Sequence, residues 1–211
     1  MNLQKPSAAP CDWKRSFLWL ALAAGCFHGA YASVHHPVLG LLIFGYALFL
    51  ILLTDQPTVR RAFYFGLSTG FLCAAPQLFF FWTIFGPMAI VLWLVFAFWI
   101  ALFAAIACGS IRRWGKLKAM WLIPVFWMGT EYFRSELYYL KFSWLNVGYA
   151  LQVPICGMYG AGFFTFLAVI LYFWIRTVRV SLIELLVIAA ILGSLLTFLL
   201  PALASSKTRG L

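Results

Sequence analysis

Apolar runs separated by short polar or turn-forming segments set the pattern of this chain. They fall near residues 16–32, 37–53, 62–82, 87–111, 119–134, 155–175 and 182–203. Each is close to the roughly 20 residues a helix needs to cross a hydrocarbon core of about 30 Å. Inside such a core only helices or closed barrels satisfy every backbone group, so the pattern predicts an all-α polytopic transmembrane bundle of about seven spans. The interruptions are few. Pro76 and Gln77 in the third run and Pro124 in the fifth predict kinks and polar groups at membrane depth.

Charge orients the runs. With the N-terminus inside, the inner segments hold Lys5, Lys14, Arg15, Arg60, Arg61, Arg112, Arg113, Lys116, Lys118, Arg176 and Arg179, most of the 15 basic residues. Arg134, Lys141, Lys207 and Arg209 are left outside. The positive-inside rule thus predicts N-terminus in and C-terminus out, with 1–15 a cytoplasmic tail, 16–203 the helical domain and 204–211 an extracytoplasmic tail. Ala23-Ala24-Gly25-Cys26 and Ala30-Tyr31-Ala32 each resemble a signal-processing site. Ala23 stands where a lipobox has a large aliphatic residue, so the first run is read as a retained span.

Composition agrees: 65% of residues are hydrophobic and 9% charged, against about 45–50% and 25% for soluble domains. The mean hydropathy is +0.98. The net charge of +10 lies in short clusters between apolar runs and forms no continuous stripe, which excludes a nucleic-acid reading. Aromatics make up 19%, as expected where many helix ends need interfacial anchors. The cysteines, Cys11, Cys26, Cys73, Cys108 and Cys156, show no C-x-x-C spacing and lie mostly in apolar runs, where a cysteine is a small buried hydrophobe. His35 and His36 point in different directions and lack a third ligand, so no metal is expected, and no cofactor motif is present. Glu184, near Arg176 and Arg179, reads as structural.

One stretch stands apart. Residues 131–149, EYFRSELYYLKFSWLNVGY, bring charged, aromatic and turn-forming residues together at the outer end of the fifth run. Glu131 and Arg134 are three apart, share one helical face and can pair. Charges at that depth are functional candidates by default, with a structural ion pair as the alternative. Trp144, Asn146, Gly148 and Tyr149 combine a ring, an amide, a flexible backbone position and a phenol, a mixture suited to the lipid–water boundary. Belt anchors and a simple turn are the plainer readings. No Ser/His/Asp, Cys/His or Cys/Lys/Glu grouping is visible, so no catalytic residue is assigned.

The segment Trp121–Leu167 resembles the membrane domain of bacterial apolipoprotein N-acyltransferases. That family carries a Trp, then E-W-x-R, then F-P-W-x-x-x-G-Y, then a glycine-rich helix start. Here these are Trp127, Glu131 with Arg134, Phe142-Ser143-Trp144 with Gly148-Tyr149, and Gly157 with Gly160. Val59–Phe71 is similar to the family's R-x-x-x-x-G-x-x-x-G stretch. Tyr132, Lys141 and Ser143 depart from the family's Trp, Gly and Pro.

The resemblance implies two-step acyl transfer in a bacterial cytoplasmic (inner) membrane. A cysteine thiolate takes an acyl chain from a phospholipid as a thioester and passes it to the amino group of a diacylated lipoprotein's N-terminal cysteine. It also implies a nitrilase-like domain for that chemistry, expected where this sequence stops, and hence a membrane subunit with a nitrilase-like catalytic partner. Glu131, Arg134, Trp144, Asn146 and Tyr149 would contact phospholipid and lipoprotein substrates, while Trp127, Phe142, Gly148, Gly157 and Gly160 form the structural motif. A non-catalytic scaffold or degenerate remnant and a small transporter are the alternatives, the last weakened by the absence of an internal repeat.

Overall fold

The computed structural model describes residues 13–32, 37–151 and 157–178. The tail as far as residue 12, His35, His36, Cys156, Arg179, Glu184, the run at 182–203 and the tail at 204–211 lie outside the described residues. Those described are helical, with no strand among them: α1 (Trp13–Tyr31), α2 (Leu42–Thr54, entered by a 3-10 turn Pro37–Leu41), α3 (Val59–Gln77), α4 (Phe80–Phe85), α5 (Ala89–Trp114), α6 (Lys116–Met120), α7 (Ile123–Tyr132, followed by a π-helical turn Phe133–Leu137), α8 (Val147–Leu151) and α9 (Gly157–Val178). Two stretches are long and apolar enough to cross a bilayer by themselves, Phe80–Trp114 and Gly157–Arg176. The described residues as far as Leu171 form one compact unit. The second begins at Tyr172, whose ring lies 5.7 Å from the Arg176 guanidinium.

Proline and glycine explain where the helices differ from the sequence pattern. The helix predicted over 62–82 ends at Gln77, and Phe80–Phe85 joins the next apolar stretch instead. Pro76 has no N–H to give the Leu72 carbonyl one turn earlier. His28 on α1 takes that role: its Nε2 lies 3.0 Å from the Leu72 oxygen, and its Nδ1 lies 3.1 Å from Gln77 Nε2. The stretch predicted over 119–134 is divided at Trp121–Leu122, because Pro124 sits in the first turn of α7, where a missing N–H costs nothing.

Successive long helices alternate in direction. Phe27 of α1 meets Tyr46 of α2, while Trp19 stacks on Phe49. Trp13 lies against Phe65 near the start of α3, and His28 meets its end. Trp93 of α5 donates to the Leu78 carbonyl at 3.1 Å, and the Cys108 thiol donates to the Gln56 carbonyl at 3.5 Å. One end of the bundle therefore gathers the start of α3 and the end of α5. There Lys116 pairs with Asp55 at 2.6 Å and Arg112 donates to the Pro57 carbonyl.

The tightest seam joins α3 to α5. A Cβ on Gly66 would lie 2.8 Å from Ala101 Cα, and one on Gly70 would lie 2.6 Å from Ala97 Cα. The G-x-x-x-G spacing is what lets the two backbones touch. Between α7 and α9, Trp127 stacks on Phe166 with centroids 4.3 Å apart and meets Phe103 edge-on at 4.9 Å. This buried aromatic wall holds the end of α7, and with it Glu131, in place.

Candidate functional site: a buried polar latch under an aromatic rim

At the end of α7 the α-helical ladder widens into the π turn, closed by the Tyr138 N–H on the Phe133 carbonyl at 2.7 Å. Such turns re-aim side chains and recur at functional sites. The chain then doubles back. The Phe142 N–H donates to the Arg134 carbonyl at 3.0 Å, and the Ser143 N–H to the Lys141 carbonyl at 2.9 Å. A proline at 143 could not make the second bond. Lys141 and Leu145 flank Trp144 with φ of 43° and 58°, a left-handed conformation that strains any residue with a Cβ. The glycine expected by resemblance at 141 would carry no such strain.

Asn146 is the centre of the site, with no exposed surface. Its Oδ1 accepts from Arg134 Nη2, and its Nδ2 donates to Ser135 Oγ and to Met158 Sδ, each at 3.0 Å. Its carbonyl accepts from the Tyr31 hydroxyl at 2.8 Å and from the Tyr149 N–H at 2.9 Å. Glu131, 3% exposed, accepts the Val147 N–H on Oε1 at 2.8 Å. Arg134, 2% exposed, has its guanidinium 4.8 Å from the Phe96 ring centre.

Glu131 and Arg134 therefore do not meet as an ion pair, as their spacing predicts. Each reaches instead into the 146–147 backbone return, and together they latch it to α7.

Small residues make the latch possible. The Glu131 Oε2 atom lies 2.6 Å from where a Gly162 Cβ would sit, and Trp127 Nε1 lies 3.4 Å from it. A Cβ on Gly148 would collide with the Met158 carbonyl. Gly157 opens α9 with φ of 63°, and Gly160 lies one turn further in. Arg134 Nε and the Tyr46 hydroxyl are buried without a hydrogen-bond partner among the described residues. This leaves polar capacity behind the latch.

The sequence-predicted residues thus divide into two sets. Glu131, Arg134, Asn146, Trp127, Phe142 and Gly148 are buried, whereas Trp144 and Tyr149 are half exposed. Trp144 leans on Phe80 and Phe81, with centroids 5.5 and 5.8 Å away, and Phe81 in turn meets Phe142. Tyr31, Ser135 and Met158 were not legible in the sequence as members of the site. Tyr31 lies 115 positions from Asn146, and no local pattern signals a bond across that distance.

The fold and the latch define a helical membrane-associated domain with an aromatic rim and no nucleophile assigned within it. The profile of the apolipoprotein N-acyltransferase N-terminal domain matches residues 23–171, and the chain belongs to that family. No curated protein and no solved structure gives a significant match.

Proposed function

We propose that this chain is the lipid- and lipoprotein-binding membrane half of a lipoprotein N-acyltransferase. It spans the bacterial inner membrane about seven times, N-terminus in and C-terminus out, and works with a nitrilase-like catalytic protein. The observation that carries the reading is the Asn146-centred latch, which lies inside the family match and carries the half-exposed Tyr149 and Trp144, the latter against Phe80 and Phe81. An indole and a phenol held open at a bundle end meet an acyl chain with their rings and a headgroup with N–H and O–H. The alternating helices support the multi-pass topology, and the clustering of Arg60, Arg61, Arg112, Lys116 and Lys118 toward the opposite end supports its orientation.

Chemistry from a partner is supported by two of the three described cysteines. Cys73 and Cys108 are buried, at 0% and 1% exposure, and Cys108 lies with Gln56 at the end of the bundle away from the latch, while Cys26 is partly buried on α1. A thiol that forms a thioester needs access to substrate and an activating base. Deletion of the gene is expected to remove one acyl chain from the N-terminal cysteine of lipoproteins, read as a mass shift. A nitrilase-like protein is expected to co-purify in mild detergent. Unchanged lipoprotein masses together with no such partner would sink the reading.

A further inference from the structure

The bundle carries a second candidate lipid site, at the end away from the latch. The first turns of α1 and α3 enclose an open cavity of about 310 Å³ lined by Trp13, Phe17, Arg60, Arg61, Tyr64 and Ser68, among others. Arg61 is its centre. The guanidinium carbon lies 3.4 Å from the Trp13 ring centre and 5.4 Å from that of Phe65. Its Nε and Nη2 atoms are shielded from water without a hydrogen-bond partner among the described residues. These two nitrogens form one edge of the guanidinium fork, the edge that grips two oxygens of one phosphate. Leaving both donors buried and unmatched is unfavourable, and a side-chain shift that turns this edge into the cavity lets an anionic acceptor remove that penalty.

The surroundings favour an anion on a lipid. Arg60 adds a second cation, its guanidinium 5.7 Å from the Tyr64 ring centre. Among the described residues no carboxylate lines the cavity, and Asp55 at the same end is engaged by Lys116 at 2.6 Å. Ser68 and Tyr64 bring hydroxyls, while Trp13 and Phe17, both exposed by more than half, give an apolar approach from the side of α1. Arg61 and Gln77 are separated by about 24 Å of helix rise on α3, close to a hydrocarbon thickness. Since Gln77 meets His28 near the Tyr31 end of α1, this cavity and the latch belong to opposite bundle ends.

We propose that the Arg61 cavity binds the phosphate of an anionic phospholipid headgroup in the leaflet opposite the Trp144 rim. The site anchors the domain and is separate from acyl transfer. It rests on the membrane reading but not on the enzyme, because its assay reads bound lipid.

The test uses the full chain in mild detergent, titrated with phosphatidylglycerol or phosphatidylcholine and read by native mass spectrometry. Phosphatidylglycerol is expected to be retained in preference. Arg61→Gln is expected to weaken that retention about tenfold, the worth of one charged bidentate contact, and Arg61→Lys to fall between. Ser68→Trp fills the cavity from an exposed position while leaving the Arg61–Trp13 stack in place. It should abolish retention at an unchanged melting temperature, which separates loss of the site from loss of the fold. Equal retention of the two lipids, or wild-type retention by Ser68→Trp, would overturn the proposal. So would displacement of the lipid by millimolar inorganic phosphate, which would make the ligand a free phosphate.

Discussion

Replacing Glu131 by Gln and by Ala separates a hydrogen-bonded latch from a charge pair. Gln keeps an oxygen at the position that accepts the Val147 N–H at 2.8 Å and removes only the charge. Ala removes the acceptor. The Val147 N–H then stands buried and unmatched, at a cost of about 1–3 kcal/mol, and the 3% exposed side chain leaves a partial void that adds about 1 kcal/mol. The expected loss for Glu131→Ala is thus about 3 kcal/mol, or roughly 6–12 °C in melting temperature for a chain of this size. Glu131→Gln should lose about 1 kcal/mol or less. Thermal unfolding of the three purified proteins in one detergent, followed by tryptophan fluorescence, measures both. Equal losses for the two variants would refute the latch and restore the ion pair that the spacing suggests.

Other perturbations test neighbouring parts of the structure. Gly70→Ala places a Cβ 2.6 Å from Ala97 Cα and should destabilise by about 1–3 kcal/mol. Gly129→Ala, with nothing within 4 Å of the new atom, should be neutral or gain up to about 1 kcal/mol from helix propensity; the opposite order in unfolding assays would contradict the α3–α5 seam. Lys141→Gly relieves a left-handed φ of 43° and should raise stability by about 0.5–1 kcal/mol, visible as a small increase in melting temperature. Asp55→Asn breaks a pair whose side chains are about half exposed and should cost under about 1 kcal/mol, shrinking further in high salt. Trp144→Ala should shift stability little, since the ring is 50% exposed, yet reduce lipoprotein N-acylation in cells; full acylation would remove Trp144 from the substrate site.

Much of the fold was legible because it follows from composition and period. Apolar runs of helical length and a G-x-x-x-G spacing on α3 each act locally, through backbone satisfaction or the size of one side chain. Residues 131–149 also stood out, since charges in an apolar chain are visible wherever they fall. Partners were less legible. Spacing three apart brings Glu131 and Arg134 onto one face, but each side chain satisfies itself on the nearest buried backbone or amide, and those arrive from residues 146 and 147. The His28 bond to the carbonyl freed by Pro76, and the Tyr31 hydroxyl on Asn146, join positions 44 and 115 residues apart. No periodicity encodes such a meeting.

The sequence by itself determined the helical character of this protein and its family, because hydrophobic length and motif spacing are properties of short segments. Only the tertiary structure decided that Asn146 is the hub, that Glu131 and Arg134 latch a loop, and that Arg61 stacks under Trp13 with two donors unmatched among the described residues. Those facts depend on which helix ends share a level, and that is set by packing α1, α3, α7 and α9 together.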